Sequence, residues 1–72
     1  MIETTADTIP NKKVIEILGI CKGFAQIGNI EAAIEKLRLE AKKLGADAIV
    51  GIGLSENAAG RVTAYGTAVK LG

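Results

Sequence analysis

Seventy-two residues carrying nine Lys and Arg against eight Asp and Glu, a formal net charge of +1, exclude steering of a polyanion by bulk charge. An apolar content of 49% excludes disorder, and a single cysteine with no histidine excludes an internal disulfide and falls short of a zinc signature. A chain this short buries only about 60–65% of the surface it exposes when unfolded, so association with copies of itself is the expected source of further burial.

Residues 2–5 read as a short strand, and Asp7 to Asn11 turn the chain around Pro10. Lys13 to about Ile27 reads as a long strand interrupted by Gly19 and Gly23. With an unbroken register, Ile15, Ile17, Cys21 and Ala25 share one face, and Val14, Leu18, Ile20 and Phe24 share the other. A bulge at Gly19 would exchange the faces of everything after it.

Residues 30–44 give the clearest helix. Asn29 suits the N-cap, Glu31 sits in the first turn, Lys42 and Lys43 sit in the last, and Gly45 suits C′. Ile30, Ala33, Ile34, Leu37, Ala41 and Leu44 form one apolar stripe, while Leu39 points to the opposite side. Glu35–Arg38, Lys36–Glu40 and Glu40–Lys43 are spaced to pair on the surface.

Asp47 to Ser55 forms a further strand, with Ala48, Val50, Ile52 and Leu54 on one face and Ile49, Gly51 and Gly53 on the other. Residues 56–60 read as a hairpin loop into a last strand from Arg61 to Leu71. The fold class is therefore α+β: β-β-α-β-β in one domain spanning residues 1–72, a mainly antiparallel sheet with one packed helix. One helix covers one sheet face, yet two strands carry apolar residues on both. Leu18, Phe24 and Ile49, with Leu39 on the helix, are thus candidate oligomer-interface residues.

Without histidine there is no Ser-His or Cys-His pair to activate a nucleophile, and the expectation is a protein that is not an enzyme. Gly51-x-Gly53 lies within a strand, where a dinucleotide fingerprint cannot work, so its reading is steric. Cys21 reads first as a small buried hydrophobe. Its alternative role is as a soft-metal ligand repeated around a symmetry axis, with Glu16 contributing. Arg61 and Tyr65 share a strand face and frame a third reading, an enzyme site formed between subunits. No cofactor is identified beyond a soft metal ion. No nucleic acid or membrane partner is expected, since no apolar run approaches the ~20 residues of a membrane span. Residues 1–5 lack the regions of a signal peptide, and a free thiol suits a reducing compartment, so the expected location is cytoplasmic.

Thr4-Thr5 followed by Ile9-Pro10, then Leu18-Gly19-Ile20 and Gly23, resembles the opening of the YbjQ-like family. Leu44-Gly45-Ala46-Asp47-Ala48-Ile49-Val50-Gly51 resembles its helix-to-strand junction, and Ala64-Tyr65-Gly66-Thr67-Ala68-Val69 its most recognisable stretch. The resemblance implies a β-rich fold with a packed helix, assembled as a symmetric, preferably pentameric ring, and a heavy-metal-binding label without an assigned function. This sequence departs from the family pattern at Asn11, where glycine commonly follows Ile-Pro, and in a shorter segment between Gly28 and Leu44.

Overall fold

A computed structural model describes residues 1–26 and 28–72. In chain order these residues form β1 (Ile2–Glu3), β2 (Val14–Ala25), α1 (Ile30–Lys43), β3 (Ala48–Glu56) and β4 (Val62–Leu71). The end of the second strand that the sequence places near Ile27 lies outside the described residues. The strands make one four-stranded sheet in the order β1-β3-β4-β2. It is mixed: β1 runs parallel to β3, while β4 is antiparallel to both β3 and β2. The mainly antiparallel expectation therefore holds for the three long strands, with β1 as the exception. Two residues are too few to reveal a pairing direction in the sequence.

Local chemistry sets the helix boundaries. The Asn29 side chain accepts a hydrogen bond from the Ala32 N–H at 3.1 Å, satisfying one of the unpaired donors of the first turn. Gly45 closes the other end at φ +78°, in the left-handed region that glycine enters without steric cost. Ala33, Leu37 and Ala41 bury completely, and Ile34 packs at their margin. Glycine at position 23 lets the helix sit this close: a Cβ there would lie 2.1 Å from the Ala33 carbonyl oxygen and 2.5 Å from the Leu37 nitrogen.

Strand faces depart from simple alternation at three places. In β2 the pairing with β4 slips between Val14 and Glu16 and again between Ile17 and Gly19, and in β3 it slips between Val50 and Gly53. Each extra residue reverses the parity of the rest of its strand. Ile17 consequently shares a face with Ile20 and Phe24, which stand opposite Val69, Thr67 and Thr63, rather than with Cys21 and Ala25. In β3 Ile52 joins Ile49 in packing toward the helix-side core instead of following Val50.

The second sheet face is covered at one end only. There Ile9, from the turn after β1, packs with Ala48, Val50 and Val69, and Val14 and Leu71 close the cluster. Asn11 holds this turn at φ +62°. That left-handed conformation favours glycine, and asparagine tolerates it better than most side chains, which accounts for the exchange at this position.

Candidate functional site

The rest of that second face is open. Ile17, Ile20 and Phe24 stand in a row along β2 at 70%, 76% and 53% exposure. Lys22 lies between the last two and directly opposite Tyr65 on β4, so the two share a face. The Tyr65 ring lies across Gly53, where a Cβ would come within 2.4 Å of the phenol. Gly53 thus has the steric role read for it, a floor for an aromatic ring. The row belongs to an edge strand, because among the described residues β2 pairs with β4 alone. Edge strands that are long and apolar offer both backbone hydrogen-bonding groups and side chains to another chain.

The helix lies over β2 and β4, which leaves the two margins of the domain differently furnished. Beside β2, a hollow of about 300 Å³ is lined by Lys22, Phe24, Lys36, Leu39, Glu40 and Lys43. On the β1 side, a shelf of about 450 Å³ is lined by Glu3, Glu31, Ile34, Glu35 and Arg38. Arg38 donates from Nε to one oxygen of Glu3 and from Nη2 to the other at 3.0 Å. This two-pronged pairing holds the Glu3 carboxyl below its ordinary range, and desolvation opposes it only in part. It is the one ion pair within 4 Å among the described residues, so Glu35–Arg38, Lys36–Glu40 and Glu40–Lys43 do not close as the helical spacing allowed. For Arg38 the reason is reach: the carboxylate of β1 offers it both oxygens in a half-buried setting.

The interface residues read from the sequence divide into two pairs. Phe24 and Leu39 are exposed, whereas Ile49 is buried in the chain's own core and Leu18 packs against that core. The β2 bulges are responsible for Leu18, since they turn it toward the helix and bring Ile17 and Ile20 out in its place. Ile49 needs no partner because its face of β3 is the helix-covered one, where it also fills the space left by Gly66.

Cys21 is 4% exposed, between the sheet and α1. Burial raises its thiol pKa, and the Glu40 carboxylate adds to the rise, so the thiolate that binds metals or attacks electrophiles is disfavoured. Glu16 is exposed and stands opposite Lys70, while Cys21 stands opposite Gly66. At ~3.3 Å per residue that separates them by about 13 Å along the strand, too far to hold one ion. Glu40 is the nearer carboxylate, and sequence spacing could not reveal a contact between a strand and a helix. Among the described residues no three of His, Cys, Asp and Glu group closely enough to bind a metal. One buried thiol and one carboxylate do not fit a soft metal ion within a single chain. Arg61 borders a hollow with Phe24, Gln26 and Lys36 at the end of β2, and no carboxylate joins it there. No helix among the described residues is long and apolar enough to cross a membrane.

These features define a class: a small α+β domain with a mixed four-stranded sheet, one face closed by a helix and the other half open, with no metal-ligand cluster among its described residues. Residues 29–72 match the YbjQ sequence family, whose description reads "Putative heavy-metal-binding". The chain is 33% identical to a UPF0145 protein of Thermotoga maritima over 99% of its own length and 97% of the relative's. It is 34% identical to a UPF0145 protein of Shewanella frigidimarina over 100% and 97%, and 36% identical to one of Archaeoglobus fulgidus over 99% and 95%. The chain belongs to this UPF0145, YbjQ-like family, as the blocks around Gly45 and Tyr65 implied. The match to the Thermotoga maritima relative runs over 103 positions against a chain of 72 residues, so that relative carries internal residues lacking here.

Proposed function

We propose that this chain is a non-enzymatic, homo-oligomeric domain that acts by assembling into a closed ring, with a structural or small-ligand-binding role. The observation that carries the reading is the row of Ile17, Ile20 and Phe24 on an edge strand, a face that no described element of the chain covers. Leaving three large apolar side chains more than half exposed forgoes a good part of the roughly 1.5–3 kcal/mol that complete burial of each supplies. A second copy is the natural cover for a domain whose own core is small. Five subunits is the order suggested by the family resemblance.

The test is the mass of the native, untagged protein, measured together with any mass bound to it. A closed multiple of the chain is expected, and a stable, folded monomer at micromolar concentration contradicts the reading.

Heavy-metal binding is the second reading, supported by the family's description. The position of Cys21 beneath α1 argues against a site on a symmetry axis, because an ion reaching the sulfur would have to displace the helix. Equal uptake of a soft metal by the wild type and Cys21→Ser removes the cysteine from consideration, while uptake lost in the variant restores it.

A further inference from the structure

Charge is unevenly placed on this nearly neutral chain. The hollow beside β2 is lined by Lys22, Lys36 and Lys43, with Glu40 as its one acid. A second hollow of about 190 Å³ adjoins it, sharing Phe24 and Lys36 and adding Gln26 and Arg61 without a carboxylate. Together they take four of the nine Lys and Arg but one of the eight Asp and Glu. None of these four cations has a carboxylate within 4 Å among the described residues, where Glu3–Arg38 is the one such pair. Cations gathered without partners repel one another, and a bound anion relieves that repulsion.

The fold holds the cluster together from two elements. Lys36 and Lys43 are seven positions apart on α1, two helical turns, and so share a side at about 10 Å along the axis. Lys22 comes from β2, the strand beside the helix. Leu39 on the helix and Phe24 on the strand are the large apolar residues of the lining, 54% and 53% exposed. A few convergent charges beside apolar surface, in a hollow of about 300 Å³, meet the lower size limit of ordinary small-ligand sites. The donor type narrows the class of anion. Lysine offers a compact charge with three rotatable donors that suits a phosphate, whereas a planar carboxylate favours the arginine fork. The charge agrees: three lysines less Glu40 give +2, and a phosphate monoester carries about −1.5 to −2 at neutral pH.

Resting on the small-ligand half of the reading above, we infer that the Lys22–Lys36–Lys43 hollow binds an organic phosphate monoester with a flat, largely apolar body, the chemistry of a nucleoside monophosphate. The phosphate takes the three ammonium groups as donors, and the body lies against Leu39 and Phe24. Of these residues only Phe24 belongs also to the row assigned to assembly, so the binding role is tested through the others.

Calorimetric titration of the full chain with adenosine monophosphate, adenosine and inorganic phosphate tests this, with circular dichroism and native mass read on every protein. The monophosphate is expected to bind at least about tenfold more tightly than either adenosine or phosphate, and more weakly as salt rises. Lys36→Gln with Lys43→Gln should weaken it by about tenfold or more, because two charged donors are lost. Leu39→Asn should weaken the nucleotide and leave inorganic phosphate unchanged. Glu40→Gln removes the one acid of the lining and should tighten binding, a gain that a misfolded variant cannot imitate. A nucleotide that fails to bind, or binds no better than its two parts, overturns the proposal. So does a double-glutamine variant or Glu40→Gln that titrates as the wild type does. A closed multiple of the chain that ignores the nucleotide removes this site and leaves assembly standing, while a monomer that binds it through these lysines does the reverse.

Discussion

The two faces of the sheet share one backbone and are finished in opposite ways. Toward α1, small residues predominate: Gly23, Ala64, Gly66 and Ala68 let the helix and the Ile49 side chain pack close, and Leu37 fills the space that remains. Away from α1, the large apolar residues Ile17, Ile20 and Phe24 line β2 with Lys22 among them, and this face is covered only where Ile9 folds back over Ala48, Val50 and Val69. Small residues under a helix make a core that closes within one chain. Large residues left in the open make a surface suited to a partner. The contrast predicts that substitutions on the helix face act on folding, while those on the open face act on association.

The largest effect belongs beneath the helix. Leu37→Ala removes a fully buried side chain and is expected to cost about 2–5 kcal/mol, seen as a lower denaturation midpoint at every protein concentration. Gly23→Ala tests the same face by addition, since its Cβ meets helix backbone and α1 has to lift. A loss of about 3 kcal/mol, the upper end of ordinary overpacking, is expected from the same measurement.

A smaller effect concerns the link between α1 and β1. The Glu3 carboxyl is held below its unfolded value by Arg38, so its contribution to stability is present above about pH 4.5 and is lost as the pH falls through the lowered folded value. Denaturation midpoints of the wild type should therefore fall more steeply below pH 5 than those of Arg38→Met. Parallel curves would show that the pair contributes nothing. The smallest effect on the fold itself is expected on the open face. Ile20→Ser should change the stability of the isolated domain by no more than about 0.5 kcal/mol, while raising the concentration at which copies associate. If it instead unfolds the chain as Leu37→Ala does, the two faces are not distinct in the way described.

Much of the fold was legible because it is written in local patterns. Asn29, the stripe through Leu37, and Gly45 announce the helix and both of its ends. The loop at residues 56–60 closes as a hairpin around Asn57, whose side chain accepts from the Ala59 and Arg61 N–H groups at 3.0 Å. The assignment of strand faces failed where parity depends on single inserted residues. Gly19 signalled the bulge that sets Ile17 with Ile20 and Phe24, but the slips near Ile15 and at Gly51 reassigned Val14 and Ile52 without a comparable reading. Gly51 sits at φ +62° and its N–H donates to the Ala6 carbonyl at 2.8 Å, a contact set by the returning N-terminal segment rather than by its neighbours in sequence. The Glu3–Arg38 pair was illegible for the same reason, being a contact across 35 positions. The candidate surface was read in kind, as apolar excess on the sheet, while the grouping of Ile17 with Ile20 and Phe24 stayed open because it depends on the bulge at Gly19.

The central claim is that the open face of β2 is covered by another copy of the chain. The most direct measurement is native mass spectrometry of the wild type beside Ile17→Ser with Ile20→Ser. A closed multiple for the wild type and a folded monomer for the variant is the predicted pair of results. A wild type that stays monomeric with its helix and sheet intact, or a double-serine variant that assembles undiminished, would contradict the account.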